Sequence, residues 1–514
     1  MPDIGGLHIA GPAFGALAVT LSIILYYAAQ TVYLLFFHPL AKYPGPKLAA
    51  ISELWWVWAL SSERFPFIVY DLHKKHGDVI RIGPNELSFA TAEAFQDIHG
   101  HVSKGKARFL KTEFYDNDDP VPRIVGARDP EVHARQRKAL SHAFSAKSLR
   151  DQEEIVQKYV DGFVQQLAKL GDHGKKALNV PETFNWLTFD VIGSCYLCPE
   201  SVRPIRLLMQ CLGDLSFGEP FGGVAKGETH VWIKVILDSV LYMQTTFLRK
   251  RLPFLNPIMP YILPKGSTEK VKTHREFSKR LSEKRLQMGD TGRADFFSHM
   301  LKKNTMSVQE MMSQTSTLII AGSETTATSL SGITWFLLKN PDCMVRLQKE
   351  VRGAFTSLDQ ITGESTAGLP YLHGVIEESL RLFPPVPFSL PRHSPGAVVD
   401  GYYVPKGTVV SVAPLNLTRD PRYWQDPDSF RPERWIGEGF NDQKKASQPF
   451  STGPRACLGI NLAYLEMKIV LATMVFLFDW ELAVPRDEWI RDCKMRILWK
   501  KADLWVKYHP RVAA

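Results

Sequence analysis

The chain has 514 residues, 45% of them apolar and 22% charged, with a formal net charge of 62 − 53 = +9 and six cysteines. The length permits several average domains or one large catalytic domain, and the balance is that of a globular enzyme. Cysteines at 195, 198, 211, 343, 457 and 493 are too sparse for a disulfide scaffold and suit a reduced, cytosol-facing protein. No zinc-finger or RNP-like spacing occurs and the basic residues form no long block, so no nucleic acid is expected as a partner; the charge fits an acidic protein partner, anionic lipid, or plain solubility.

Residues 13–37 contain no charged side chain. A stretch of this length at ~1.5 Å per residue can cross a ~30 Å hydrocarbon core. A cleaved signal peptide competes with this reading, but no basic stretch precedes the run and no small-x-small site follows it. The segments expected are therefore a lumenal tail (1–12), a transmembrane anchor (13–37), a Pro-rich hinge (38–47) carrying Pro39, Pro44, Gly45 and Pro46, and a catalytic domain (48–514). Lys42 and Lys47 follow the apolar run and Asp3 precedes it, which places the globule in the cytosol.

Residues 77–90 read as two short strands around a Gly-Pro-Asn turn. Residues 129–144 read as a basic amphipathic helix. Its His133 and Arg137, four residues apart, share one face and can serve either an anionic ligand such as a heme propionate or an ordinary surface. Helical patterns fill 152–170, 227–249, 268–287 and 307–339. Within the last, Ala321-Gly-Ser-Glu-Thr-Thr326 places a carboxylate and a hydroxyl in a greasy helix. Small residues at Ala321 and Gly322 would let a bulky ligand approach, with Thr325 and Glu324 delivering protons; a Ser/Thr back-bonding kink is the plainer reading.

Glu378 and Arg381 sit at i and i+3 among apolar residues. With Arg434 of Pro432-Glu-Arg-Trp435 they would form a buried network beneath the next motif, a structural role. Arg392 follows a Pro-rich stretch and is another anion ligand. Residues 401–412 look like a hairpin with Gly407 near its turn. The pattern is mostly helical with minor sheet.

The most specific signal is Phe450-Ser-Thr-Gly-Pro-Arg-Ala-Cys-Leu-Gly459, followed by a helix-like run from 461 to 478. A cysteine that serves as axial ligand to heme iron must be a thiolate, held by backbone N–H groups and apolar packing. Gly453 and Gly459 permit the tight turn and the close approach of a flat macrocycle, Arg455 can reach a propionate, and the following helix aims its positive end at the Cys457 sulfur. One more buried cysteine is the alternative for Cys457 taken alone.

Together these motifs resemble the cytochrome P-450 superfamily of heme-thiolate monooxygenases over essentially the whole chain. The phrases HPLAKYPGPKLAA and DPEVHARQRKALSHAFS are similar to microsomal members from filamentous fungi that tailor secondary metabolites. The resemblance implies a mostly α (α+β) fold behind one transmembrane helix. Heme b would lie between the Thr325 helix and the helix after Cys457, in contact with Ala321 and Phe450. Electrons from NADPH would arrive through a flavoprotein reductase, and Cys457 would bind the iron that activates O2. It further implies a single-pass protein of the endoplasmic reticulum membrane, in contact with membrane lipid and monomeric, acting on a lipophilic small molecule. The substrate space would be lined by the 102–125 loop, by Leu318 and Ile319, and by 386–390 with Phe388. A reductase-independent heme-thiolate isomerase or dehydratase and a catalytically silent heme binder are the alternatives. Against that pattern, residues 194–213 separate two phrases, 185–193 and 214–224, that usually run together. A surface insertion, a metal or redox site at Cys195 and Cys198, and a retained in-frame intron are the readings open for this segment.

Overall fold

The computed structural model describes residues 10–103, 107–116, 121–150, 152–197, 222–229, 244–257 and 306–511, with isolated positions between 235 and 287. Eight helices matter for the site: α1 (Ala10–Val32), α2 (Pro130–Ser141), α3 (Glu153–Leu170), α4 (Val180–Leu197), α5 (Val308–Lys339), α6 (Pro341–Ala354), α7 (Pro370–Leu382) and α8 (Ile460–Leu477). The start of α5 is fixed by a capping box: Ser307 Oγ accepts from Glu310 N at 3.2 Å while Ser307 N donates to Glu310 Oε2 at 2.9 Å. Asp129 caps α2 through Glu131 N at 2.8 Å, with Pro130 at the first helical position.

Most of α5 is buried, and α4, α7 and α8 pack against it. At Gly322 an added Cβ would lie 2.8 Å from Ile192 Cδ1, so this glycine serves the approach of α5 to α4. The expectation that Gly322 makes room for a ligand is thereby corrected; only Ala321 turns away from the protein core. The helices expected over 152–170 and 307–339 are present as α3 and α5. Of the helices expected over 227–249 and 268–287, most lies outside the described residues, and the described positions from 269 to 287 are helical.

Twelve strands were found among the described residues: β1 (Val79–Gly83), β2 (Glu86–Phe89), β3 (Leu110–Lys111), β4 (Leu178–Asn179), β5 (Arg392–His393), β6 (Ala397–Val399), β7 (Tyr402–Val404), β8 (Val409–Val412), β9 (Phe478–Leu482), β10 (Lys494–Arg496), β11 (Leu498–Lys500) and β12 (Trp505–Pro510). A five-stranded sheet runs β1-β2-β8-β5-β3, with β2 and β8 parallel and the other neighbours antiparallel. The expected β1–β2 pair is there. The expected 401–412 hairpin is not: β7 folds back on β6, and β8 joins the large sheet. The turn is Asp400-Gly401, both residues at positive φ (46° and 77°), the primed geometry that matches strand twist; Gly407 is not its centre.

The apolar N-terminal helix continues in a wider turn, Tyr33–Phe37. Residues 14–37 make a helical stretch long and apolar enough to cross a membrane, and almost none of it is buried in the protein. The proline-rich stretch after it is non-helical as far as Pro46, but it does not hang free. Leu40 is fully buried, and Arg81 on β1, 2% exposed, donates to Leu34 O at 2.7 Å and Pro84 O at 2.6 Å while its own N–H bonds Pro44 O at 2.7 Å. One buried guanidinium thus ties the end of the apolar helix to the globule. Of the anomalous segment 194–213, residues 194–197 continue α4 and the rest, with Cys198 and Cys211, lies outside the described residues.

Candidate active site

The loop before α8 is closed by Cys457 N donating to Phe450 O at 2.8 Å and by a tight turn at Gly453. Gly453 has φ +70°, and a Cβ there would lie 2.2 Å from His99 O, so both conformation and space require glycine. Gly459 stands at the N-cap of α8 with φ −87°, and the nearest protein atom to an added Cβ is Phe144 Cε1 at 4.0 Å. The protein itself leaves room at Gly459. Phe450 packs its ring 5.3 Å from that of Tyr464.

Cys457 is solvent-accessible, yet set deep enough that burial is the largest influence on its thiol and pushes its pKa up; the Gly459 amide and the Arg137 charge pull it down. Accessibility and desolvation agree if the sulfur opens on an internal hollow. The loop alone does not favour the thiolate; a metal cation on the sulfur would.

Beside the loop lies a cavity of about 440 Å³ whose lining includes His99, Arg108, His133, Arg137, Arg392 and Arg455. The structure therefore brings together four residues expected to bind propionates, drawn from α2, β5 and the cysteine loop. Arg137 Nη1 donates to Ala456 O at 2.6 Å, Arg455 Nη1 to Ala127 O at 2.5 Å, and Arg392 Nη1 to the Tyr115 hydroxyl at 2.6 Å. Among the described residues no carboxylate lies within ion-pair distance of these three guanidinium groups. Burial and then the Arg455, Lys111, Arg137 and Arg392 charges push His133 down to about 3, so it is neutral. Burial and the Arg392 charge bring Arg455 down to about 10. Lys111, buried with its Nζ on Val125 O at 2.6 Å, is held well below the usual ammonium range by burial, with Arg392 and Arg455 adding to it. Three guanidinium groups lining one cavity without a carboxylate beside them call for anions. A ligand carrying two carboxylates beside an iron that takes the Cys457 sulfur fits this donor set. Arg108 on the cavity wall, Tyr115 bonded to Arg392, and Lys111 beside Arg392 and Arg455 are not legible in the sequence; only the fold brings them here.

On α5, Ala321 is exposed and Thr325 half-buried, although Ile319, Ser323 and Ala327 around them are fully buried. Thr325 Oγ1 donates to Ala321 O at 2.5 Å, one of eight such i to i−4 bonds along the helix. The back-bonding expected as the plainer reading is thus present, on an open face. Glu324 is 3% exposed and pairs with the Lys501 ammonium, a partner sequence reading did not find. Leu318 lies on the Ala321 side. Ile319 is fully buried in the main core, about 200° around the helix from Ala321, so the expectation that it lines the substrate space is corrected. Phe388 is buried in a stack, 4.9 Å from Phe114, which in turn stacks 4.3 Å from Phe247.

Glu378, Arg381 and Arg434 meet with no exposure at all. Arg381 grips Glu378 with two bonds of 2.8 and 2.7 Å, and Arg434 Nε adds one of 2.9 Å. Trp435 Nε1 and Arg431 N complete the carboxylate's shell at 3.1 and 2.9 Å, and Asp442 balances Arg434 at 2.7 Å.

An accessible cysteine in a glycine-shaped loop in front of a helix, with a cationic cavity at its side, fits a heme-thiolate site. The chain belongs to the cytochrome P450 family, whose model matches residues 44–199 and 205–507. Its relatives include cytochrome P450 monooxygenase BOA3 of Botryotinia fuckeliana, 41% identical over 96% of this chain and 95% of the relative. Cytochrome P450 monooxygenase astJ of Aspergillus oryzae is 41% identical over 94% of each, and averantin hydroxylase of Dothistroma septosporum is 35% identical over 98% of this chain and 93% of its own length. The protein is a cytochrome P450 monooxygenase, an oxidoreductase that uses heme iron, O2 and reductase-supplied electrons.

Proposed function

We propose that the protein inserts one oxygen atom from O2 into a lipophilic small molecule, as a tailoring step in fungal secondary metabolism. It works as a monomer held by α1 in the endoplasmic reticulum membrane with its catalytic domain in the cytosol. An NADPH-dependent flavoprotein reductase delivers the electrons, meeting a chain whose net charge is +9. The relatives' names, one of them a hydroxylase, support the reaction class. The observation that carries the reading is the open Ala321–Thr325 face on an otherwise buried helix, in a protein whose Cys457 is also open.

When bound, the heme supplies the iron at which O2 is activated. The chain's own residues do the rest. Cys457 would bind the heme iron through the sulfur as a thiolate. Arg137, Arg392 and Arg455, with neutral His133, would hold the propionates. Thr325 commits its proton to Ala321 O and keeps lone pairs that accept a donor on the open face, while Glu324 supplies a titratable group one residue away. Leu318 presents apolar surface to substrate, Phe388 packs in its aromatic stack with Phe114, and the Glu378 network holds the meander beneath the loop.

The test uses the compound that accumulates when the gene is deleted. Incubated with holoprotein, reductase and NADPH, it gains one oxygen atom; turnover without NADPH or reductase identifies an isomerase instead. Thr325→Ala keeps its heme and diverts electrons to hydrogen peroxide, and coupling equal to that of the parent refutes the role of Thr325.

A further inference from the structure

Glu324 and Lys501 form an ion pair in which both side chains are almost wholly withdrawn from water, 3% and 4% exposed. Two charges buried this way cost more in lost hydration than a surface pair ever does, so their position calls for a reason. Glu324 directly precedes Thr325. The same ammonium also donates to Thr328 Oγ1 at 3.1 Å, so Lys501 spans one turn of α5 at the point where the helix opens.

Lys501 is itself held from several sides. It follows β11 at the far end of the chain, and Trp489 Nε1 donates to Ala502 O at 2.8 Å. Leu504 N bonds Asn179 Oδ1 at 3.1 Å, and Trp499 Nε1 bonds Pro384 O at 2.8 Å. The ammonium therefore arrives on a fixed backbone. It occupies Glu324 Oε1, whereas Oε2 is buried and accepts no hydrogen bond. One oxygen of the carboxylate is clamped and the other is open, with room in its bonding capacity for internal water.

We propose that Lys501 is the positioning residue for proton supply at the Thr325 face. Lys501 occupies Oε1 and aims the carboxylate so that Oε2 alone is available. Oε2 takes a proton from internal water that is resupplied from bulk solvent, and returns it to water bonded at Thr325. This rests on the roles given above to Glu324 and Thr325. A pair that merely staples the C-terminal segment to α5 is the competing account.

The experiment uses full-length holoprotein with reductase and NADPH, in H2O and D2O, without added substrate, so that NADPH consumption and peroxide formed per NADPH report proton delivery to reduced oxygen. The variants are Lys501→Met, Lys501→Arg, Glu324→Gln and the Glu324→Gln/Lys501→Met double, each matched for heme content by its reduced carbon-monoxide spectrum. A second readout is the lifetime of the reduced protein after mixing with oxygen in a stopped-flow instrument. Lys501→Met should slow NADPH consumption roughly tenfold or more, lengthen that lifetime, and about double the solvent isotope effect. Lys501→Arg should restore most of each, and Lys501→Met should add nothing in the Glu324→Gln background. If Lys501→Met loses its heme, the neutral double variant decides: behaviour equal to Glu324→Gln supports the proposal, and any further change overturns it. Lys501→Met behaving as the parent while Glu324→Gln is impaired overturns the proposal and leaves the role of Glu324 standing. No effect of Glu324→Gln or Thr325→Ala overturns both.

Discussion

Replacing Glu466 with glutamine should make the protein more stable above pH 8 and leave it little changed, or slightly weaker, at pH 5. Glu466 lies on α8, the helix that follows Cys457, and is 2% exposed, with Oε2 accepting no hydrogen bond. Burial alone pushes its carboxyl up from 4.5 to about 8. The folded protein therefore holds this proton more tightly than the unfolded chain. The sign follows: the stability associated with the neutral acid is fully present below pH 4.5 and is lost as pH rises to about 8, after which the loss is constant. The span from 4.5 to about 8, at about 1.4 kcal/mol per pH unit, gives a loss of about 5 kcal/mol. Glutamine removes that loss but brings a buried amide that costs about 1–3 kcal/mol if unpaired. The expected net gain at pH 8.5 is about 2–4 kcal/mol. Urea unfolding followed by circular dichroism and by heme release, at half-unit pH steps from 5 to 8.5, measures it. Curves for parent and variant that stay parallel across that range would refute the reasoning, because they would mean Glu466 does not titrate there.

Glu378→Ala leaves Arg381 and Arg434 buried without their shared anion, and should cost about 3–5 kcal/mol and most of the heme incorporated; a heme-to-protein ratio equal to that of the parent counts against it. Arg81→Met strips the donor from Leu34 O and Pro84 O, each loss costing about 1–3 kcal/mol; limited proteolysis should then cut within residues 38–46 much faster than in the parent, and unchanged cleavage would show that the tie does not matter. Joining Gly193 to Asp214 should preserve the fold. Asp190 receives the returning chain at Gly223 N and Val224 N, at 3.3 and 2.8 Å. The joined chain keeps four residues, 218–221, between the end of α4 and Gly222. That is enough to come back about two helical turns to Asp190. Higher heme yield from the joined protein, and transcripts lacking the 60 nucleotides (20 × 3), are expected; transcripts that all encode Cys195 and Cys198 rule out the intron.

What the sequence made legible were features local in the chain. The cysteine loop carries its logic in ten consecutive residues, the capping box of α5 in four, and Glu378 with Arg381 in one turn. Arg434 could be paired with them because an arginine in an aromatic turn has few reasons to be there. What stayed hidden depends on distant segments meeting. Lys501 reaches Glu324 from the other end of the catalytic domain, and Lys111 comes beside Arg392 only because β3 pairs with β5. Ile319 was misplaced because an apolar stripe on a helix buried on nearly every side gives no period to read. The Asp400-Gly401 turn was legible and was passed over for Gly407, although Asp-Gly is the stronger hairpin signal.

The central claim is that the Cys457 sulfur binds heme iron. The direct measurement is the reduced carbon-monoxide difference spectrum of the full-length protein beside that of Cys457→Ala, at matched protein concentration. The parent should show the red-shifted Soret band of a thiolate-ligated heme and the variant should lose it. The same band in both proteins, or no heme taken up by a folded parent, would contradict the account.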